Sequence, residues 1–339
     1  MSDGQDETEG NTRRRFLRGT ALAAGGAALL GADLAANAQS PQAVQPPPAG
    51  GSPRPIRASA PAATHLTQLG PLRELSGTWV GRGFNLISLP DFDNPQGPQP
   101  FRLKLNATHE ILEFTHIGGN VPNRGSQGQT DINIFGLTYL QRISDAQTNG
   151  ALHIEPGLWL NVPGSTVPSQ PPTVVRQGSI PHGTSVLAQG AVIPTVTGGP
   201  VFQAVDSTPF TAAGPITNPA YLAPFSNPPL PPGFRPPFLK NPNLALQDAI
   251  IGQTITRTEV LSVSTKASGA PTFHGGGLVN IPFLVSNANA TQLDAVFWIE
   301  TVQQADGTEF MQLQYTQTVI LSFLGISWPH ISVATLVKQ

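Results

Sequence analysis

Apolar and polar side chains alternate one by one along several stretches of the chain after residue 75. In one stretch, three apolar residues alternate with three polar ones: Leu103, Leu105 and Ala107 with Arg102, Lys104 and Asn106. A period of two residues predicts strands with one buried face. The same reading applies to 79–84, 132–143, 150–160 and 332–337, and it places Leu112, Phe114 and His116 on one face.

Tight-turn signals separate these stretches. Asn149-Gly150 lies between two of them, and Asp306-Gly307 lies between 295–303 and 309–323. Such dipeptides favour the two-residue turns of hairpins. Helical periodicity is confined to short pieces at 71–75 and 243–250. Many strands joined in order by tight turns predict an all-β protein, either an antiparallel barrel or a sandwich.

The middle of the chain breaks this rhythm. Eighteen of the 35 prolines lie between Pro163 and Pro242. Proline cannot donate to a sheet ladder, so we expect an insertion of loops, short edge strands or polyproline II at about 163–245. Its large apolar residues predict that part of it packs down, as a lid or as a contact within a homo-oligomer; they are Phe225, Phe234, Phe238 and Leu239.

The N-terminal region reads as a twin-arginine signal peptide at 1–38. The stretch 12–18 carries adjacent arginines, an Ala/Gly/Leu-rich stretch follows at 19–34, and Ala36-Asn37-Ala38 supplies a small-x-small cleavage pattern. The alternative is an uncleaved anchor, although the apolar stretch is short and weakly hydrophobic. Export in folded form to the periplasm or beyond is therefore expected, with a disordered linker at 39–62 and one barrel domain at 63–339.

Composition removes several classes of function. Cleavage after Ala38 takes four of the 18 basic and five of the 20 acidic residues, which leaves 14 against 15. No basic surface for nucleic acid is expected from that balance, and no membrane span after removal of the signal. Cysteine is absent, so thiolate metal sites, iron–sulfur clusters and cysteine nucleophiles are excluded.

Three separated segments resemble the nitrobindin-like, lipocalin-related β-barrels. Leu75–Gly83 (LSGTWVGRG) resembles their opening strand, Leu152–Trp159 (LHIEPGLW) their His-x-Glu-x-Gly strand, and Pro329–Lys338 (PHISVATLVK) their closing strand. Together they bracket about 66–160 and 275–338. The resemblance implies a lipocalin-like antiparallel barrel that carries the Pro-rich centre as an insertion. It also implies haem b, with His330 as the ligand to the iron.

His330 is the first candidate site residue. On a strand it shares a face with Ser332, Ala334 and Leu336, and the small residues among them leave room for a flat ligand. One neutral imidazole suffices as the protein ligand of haem iron, provided that an acceptor fixes its second nitrogen. The alternative is a histidine at a strand entrance that bonds to backbone after Pro329.

Other histidines offer weaker candidates. His153 and Glu155 lie two residues apart and face the same way, which suits acid–base work, a metal or simple architecture. His116 is a candidate for a distal group over the ligand, or a rim histidine. His274 lies in a glycine-rich turn, whereas nothing clusters around His65, His109 or His182. The tryptophans are expected to pack in the barrel, with Trp328 supporting His330.

Three functions remain open. The first is an exported haem protein that binds a gas or nitrogen oxide or acts as a weak peroxidase. The second is a metal-free carrier of an apolar small molecule inside the barrel. The third is an enzyme acting on such a molecule through His116, His153 or Glu155. No nucleophile elbow, phosphate loop, zincin helix or dinucleotide fingerprint is present to support a conventional hydrolase, kinase or dehydrogenase.

Overall fold

Ten long strands follow one another along the chain and close into an antiparallel barrel. The computed structural model describes residues 62–93, 101–191, 193–267 and 275–339. The barrel strands are β1 Gly77–Pro90, β2 Phe101–His116, β3 Ile132–Asp145, β4 Ala151–Val162, β5 Thr173–Ile180, β6 Thr184–Ala191, β7 Thr254–Ser264, β8 Asn289–Gln303, β9 Glu309–Phe323 and β10 Ile326–Lys338. Each strand pairs with the next one in sequence, and β10 pairs with β1. The predicted antiparallel barrel is confirmed.

One seam of the barrel is thin. Strands β6 and β7 share a single paired position, Gln189 with Ser264. A short strand, Gly277–Asn280, pairs with β6 beside this position over Thr184–Leu187. The remaining short strands are Val121–Asn123, Ser165–Thr166, Ser169–Gln170, Val196–Thr197, Phe210–Thr211 and Gly214–Pro215.

The helices are all short. They are α1 Ala62–Gln68, α2 Pro219–Ser226, α3 Asn243–Ala249 and α4 Pro282–Asn287, with 3-10 turns at Gly70–Leu75 and Pro236–Leu239. In the described part of the chain no helix has the length and hydropathy needed to cross a membrane. The export signal predicted for 1–38, and nearly all of the linker predicted for 39–62, lie outside the described residues.

One end of the barrel is filled by packed side chains. The turn Gly70–Leu75 brings Leu72 and Leu75 against Trp79 and Trp159, and each of these side chains is almost fully buried. The indole Nε1 of Trp79 donates to the carbonyl of Leu75 across 2.7 Å, which fixes the turn on the barrel end. Burial of such large apolar groups is the main stabilising contribution here. The opposite half of the interior is not filled in this way.

The insertion is shorter than its prolines predicted. The strands β5 and β6 lie within 163–245 but belong to the barrel, so the excursion runs from about 193 to 253. Proline marks the turns around these two strands and is absent from them. The excursion packs on the outer wall, where Phe234, Phe238 and Leu239 are buried against Leu86. No described residue of it lines the interior cavity.

Candidate functional site

The unfilled half of the barrel encloses a cavity of about 420 Å³. This volume lies in the lower part of the range of small-molecule pockets, roughly 300–1,000 Å³. Apolar side chains from several strands and from α4 form much of its wall, including Ile87, Ile143, Val186, Leu284, Val319 and Leu321. Polar side chains are gathered in three groups, around His330, His153 and Glu110. The arrangement suits a mainly apolar molecule with a few polar contacts.

His330 faces this cavity from the start of β10. Its Nε2 lies 2.7 Å from Oδ1 of Asn85 on the paired strand β1, and the hydroxyl of Ser332 donates to the same oxygen across 3.1 Å. An amide oxygen only accepts hydrogen bonds, so the imidazole proton is on Nε2. His330 and Ser332 lie on one face of the strand, as predicted, and both bond to Oδ1 of Asn85.

The imidazole of His330 is neutral at physiological pH. Burial lowers its pKa to about 3, and the nearby His153 and His182 lower it further by charge repulsion. With the proton held on Nε2, the Nδ1 lone pair is available, and it makes no hydrogen bond to any described residue. This is the condition in which imidazole serves as a ligand to a metal or accepts a hydrogen bond from a bound molecule.

The residues around His330 fit haem as the resemblance implies it. Haem iron needs one protein ligand, and the neighbouring wall residues Ile87 and Val319 are apolar. Lys104 lines the same cavity and is exposed at its own end of β2, which suits a carboxylate of the porphyrin. The described ranges contain no group of three His, Cys, Asp or Glu side chains that could hold a metal ion.

His153 and Glu155 project into the interior together, but Glu155 is enclosed. Its Oε1 accepts from Nη2 of Arg176 across 2.8 Å and from the hydroxyl of Tyr139, and its Oε2 lies 3.2 Å from Nε2 of His153. Burial opposes ionisation of Glu155, yet the Arg176 guanidinium outweighs it and holds the pKa of this carboxyl well below its usual range. Glu155 is therefore a satisfied anion and does not line the cavity.

Arg176 is the centre of this buried group, which we call the Arg176 network. Besides Glu155, its guanidinium bonds to the hydroxyl of Tyr139 at 3.2 Å and to Oε1 of Gln317 at 2.6 Å. It also lies over the rings of Trp159 and Phe297. A cation held by a carboxylate and by aromatic faces is strongly oriented. The network separates the packed end of the barrel from the cavity.

A second buried group surrounds Glu110 on β2. The hydroxyl of Tyr315 donates to Oε2 of Glu110 at 2.5 Å, and the hydroxyl of Thr108 donates to Oε1 at 2.8 Å. Gln141 donates in turn to the Tyr315 hydroxyl across 3.0 Å. Burial raises the pKa of Glu110, and these hydrogen bonds act against the rise. Glu110, Thr108, Gln141 and Tyr315 all line the cavity.

Comparison with known proteins finds a distant structural likeness and no match to a family model or a curated sequence. No known protein family matches this sequence, and no curated protein matches it significantly. Among solved structures, Rv2717c from M. tuberculosis is similar, with 16% identity over 80% of this chain and 97% of that chain, and a TM-score of 0.39. A likeness at this level carries no argument about function.

The structure does not bring His116 to His330. His116 ends β2 at the packed end of the barrel, where its Nδ1 lies 3.2 Å from Nδ1 of the buried His65. It is not among the residues that line the cavity. The strand places it about six residues beyond Glu110, which at roughly 3.4 Å per residue is about 20 Å along the barrel. A distal role over a ligand of His330 is therefore not supported by its position.

Of the remaining residues that the sequence singled out, His182 lies at the cavity and Trp328 lies beside the turn before His330. His182, in the turn between β5 and β6, stacks on His153 with a centroid distance of 5.9 Å, and it lines the cavity. Its position in a turn gave no periodic signal. His274 lies outside the described residues. Trp328 is buried and stacks on Phe323, and its Nε1 donates to the carbonyl of Phe323, so it braces the turn that leads to His330.

Proposed function

We propose that this chain is a ligand-binding β-barrel that holds haem b in its cavity through His330. One observation carries the proposal: a neutral imidazole faces the cavity with one nitrogen held by Asn85 and the other left without a partner among the described residues. Structural histidines in an interior normally satisfy both nitrogens. An oriented, half-satisfied imidazole at an apolar wall is suited to a ligand.

The residues of the chain would then have separate tasks. His330 would hold the iron, Asn85 would hold the proton on Nε2, and Ile87 and Val319 would keep water from the macrocycle. Haem would supply reversible binding of a gas or nitrogen oxide, or weak peroxidase chemistry. We also propose that residues 1–38 direct the folded protein through the twin-arginine pathway to the periplasm or beyond.

We expect the purified full-length protein to take up hemin with a Soret band that depends on His330. His330→Ala should weaken hemin binding at least about tenfold and shift the Soret maximum, because the imidazole that Asn85 orients toward the cavity is gone. His109→Ala is the matched control, since His109 lies on β2 between inward-facing residues and does not line the cavity. An unchanged spectrum and affinity in His330→Ala would sink the proposal.

Asn85→Leu tests the orientation of the imidazole separately from its presence. Removing the acceptor of Nε2 should weaken hemin binding by about 10- to 100-fold, as is usual for the outer partners of metal-binding histidines. Ser332→Ala is the control, because it removes one hydrogen bond to Asn85 and leaves the bond between Asn85 and His330 in place. The imidazole tautomer, followed by nitrogen NMR, should be mixed in Asn85→Leu and unchanged in Ser332→Ala.

A metal-free carrier of an apolar molecule is the second candidate. The apolar wall favours it, because α4 and several strands supply aliphatic side chains all round the cavity. Colourless protein that does not take up hemin, but releases a lipid-like compound on solvent extraction, would select this function. For the third candidate, an acid–base enzyme using His116, His153 or Glu155, Glu155 is enclosed and His116 lies away from the cavity, while His153 lines the cavity and is bonded to Glu155.

A further inference from the structure

Glu110 is an unusual residue for the interior of a barrel. Its side chain is 2% exposed, yet it lines the cavity, and each of its oxygens accepts a hydrogen bond from a neutral hydroxyl. Neutral donors stabilise a carboxylate less than a cation does. The carboxyl group of Glu110 therefore accepts two hydrogen bonds but has no cation beside it to stabilise its charged form.

The buried groups near Glu110 include more carboxyl groups than cations. The Arg176 network and the Glu110 group together hold two carboxyls and one guanidinium, and that guanidinium is bound to Glu155. Glu110 forms no ion pair with a described residue. Lys104 lies six residues away on the same strand, about 20 Å at roughly 3.4 Å per residue. His153, the one base whose charge favours ionised Glu110, is bonded to Glu155 instead.

A carboxyl group is a costly choice if packing is its only task. Burying an ionisable group without a cation is unfavourable, whereas a carboxamide in this place would carry no charge, accepting from one hydroxyl and donating to the other. A further acceptor adjoins Glu110: Gln141 uses its amide nitrogen on Tyr315, while its Oε1 makes no hydrogen bond to a described residue. The floor of the cavity therefore offers a bound molecule two kinds of acceptor: the carboxyl group of Glu110, which has no cationic partner among the described residues, and Oε1 of Gln141.

We infer that Glu110, Thr108, Gln141 and Tyr315 form a subsite for the protonated amine of an otherwise apolar small molecule. The inference rests on the proposed use of the cavity as a ligand site. The ammonium group would donate to Glu110 and to Oε1 of Gln141, and the hydrocarbon part would lie against the aliphatic wall. An anionic ligand such as a fatty acid would meet the carboxylate of Glu110 and be disfavoured.

The test compares three probes with the same hydrocarbon chain: n-octylamine, n-octanol and octanoate. Binding to the full-length protein is measured by calorimetry at pH 8, where free imidazole is neutral and the amine is charged. We expect the amine to bind at least about tenfold more tightly than the alcohol, and octanoate to bind most weakly. In Glu110→Gln the amine and the alcohol should bind within about twofold of each other.

Controls separate the subsite from the fold and from His330. Glu113→Gln changes an exposed carboxyl on the same strand and should leave the amine preference intact. Gln141→Leu keeps the carboxylate but removes the second acceptor of the ammonium group, so it should reduce the preference, and it keeps the test open if Glu110→Gln fails to fold. His330→Ala should lose hemin binding but retain the preference for the amine. Equal binding of amine and alcohol in the wild type, or tighter binding of octanoate, would overturn the inference while leaving the haem proposal to its own test.

Discussion

Arg176→Met is expected to lower the free energy of unfolding by about 3–5 kcal/mol. The guanidinium is 1% exposed and is the cation that compensates Glu155, which is fully buried. Without the guanidinium, Glu155 is either charged and unpaired in the interior, or protonated at a pH far above the ordinary pKa of a carboxyl. Both states raise the free energy of the folded protein. Since whole domains are stable by about 5–15 kcal/mol, a large share of the total is at risk. Urea unfolding at pH 7 measures the change.

Two further variants show whether charge or packing is responsible. Arg142→Met removes a cation of the same kind from an exposed pair with Glu113, and it should cost no more than about 1 kcal/mol. The double variant Arg176→Met with Glu155→Gln should recover most of the loss, because no unpaired charge remains. A loss of less than 1 kcal/mol in Arg176→Met alone would contradict the account of a compensating buried pair.

The Arg176 network also connects stability to the candidate site. Gln317 and His153 line the cavity, and both bond to members of this network. Their side chains are therefore fixed by groups that face away from the ligand. Precise binding sites usually depend on such support from behind. His153 and Gln317 are therefore positioned by hydrogen bonds to the buried charges behind them.

The strands were predictable from the sequence because alternation is a local property. In β2 the inward residues follow one another at every second position, and the Asp306-Gly307 turn sets the β8–β9 hairpin. The extent of the insertion was not predictable in the same way. The density of prolines is averaged over a window, and the proline-free strand β5 is only eight residues long.

The candidate site was predictable only in part. The inward direction of His330 follows from its position on β10, but its acceptor Asn85 lies 245 residues earlier in the chain. The buried positions of Arg176 and Glu110 could not be predicted either, because a charged residue in an alternating strand is normally expected to face solvent. Which polar side chains meet across a barrel depends on the register of every pair between them, and no local pattern contains that information.

Glu300→Gln is expected to stabilise the protein by about 3 kcal/mol at pH 8 and hardly at all at pH 4.5. Glu300, on β8, is fully buried, and Gln312, which donates to it, also bonds to Gln253 at the end of the excursion. Burial raises its pKa to about 7, and one hydrogen bond from Gln312 offsets only part of this. Its Oε1 has no partner among the described residues. At about 1.36 kcal/mol per unit, the shift from 4.5 corresponds to about 3 kcal/mol.

The sign follows from where the proton is held. The folded state keeps the proton of Glu300 up to about pH 7, whereas the unfolded chain releases it near 4.5, so stability falls as the pH rises between these values. Stability to thermal unfolding should therefore fall more over this range in the wild type than in Glu300→Gln. Glu309→Gln, at an exposed position on β9, should leave the decline in place. If the stability of Glu300→Gln and that of Glu309→Gln fall alike over this range, another buried group controls the pH dependence of stability. The packing of the excursion on the barrel wall then does not depend on the charge of Glu300.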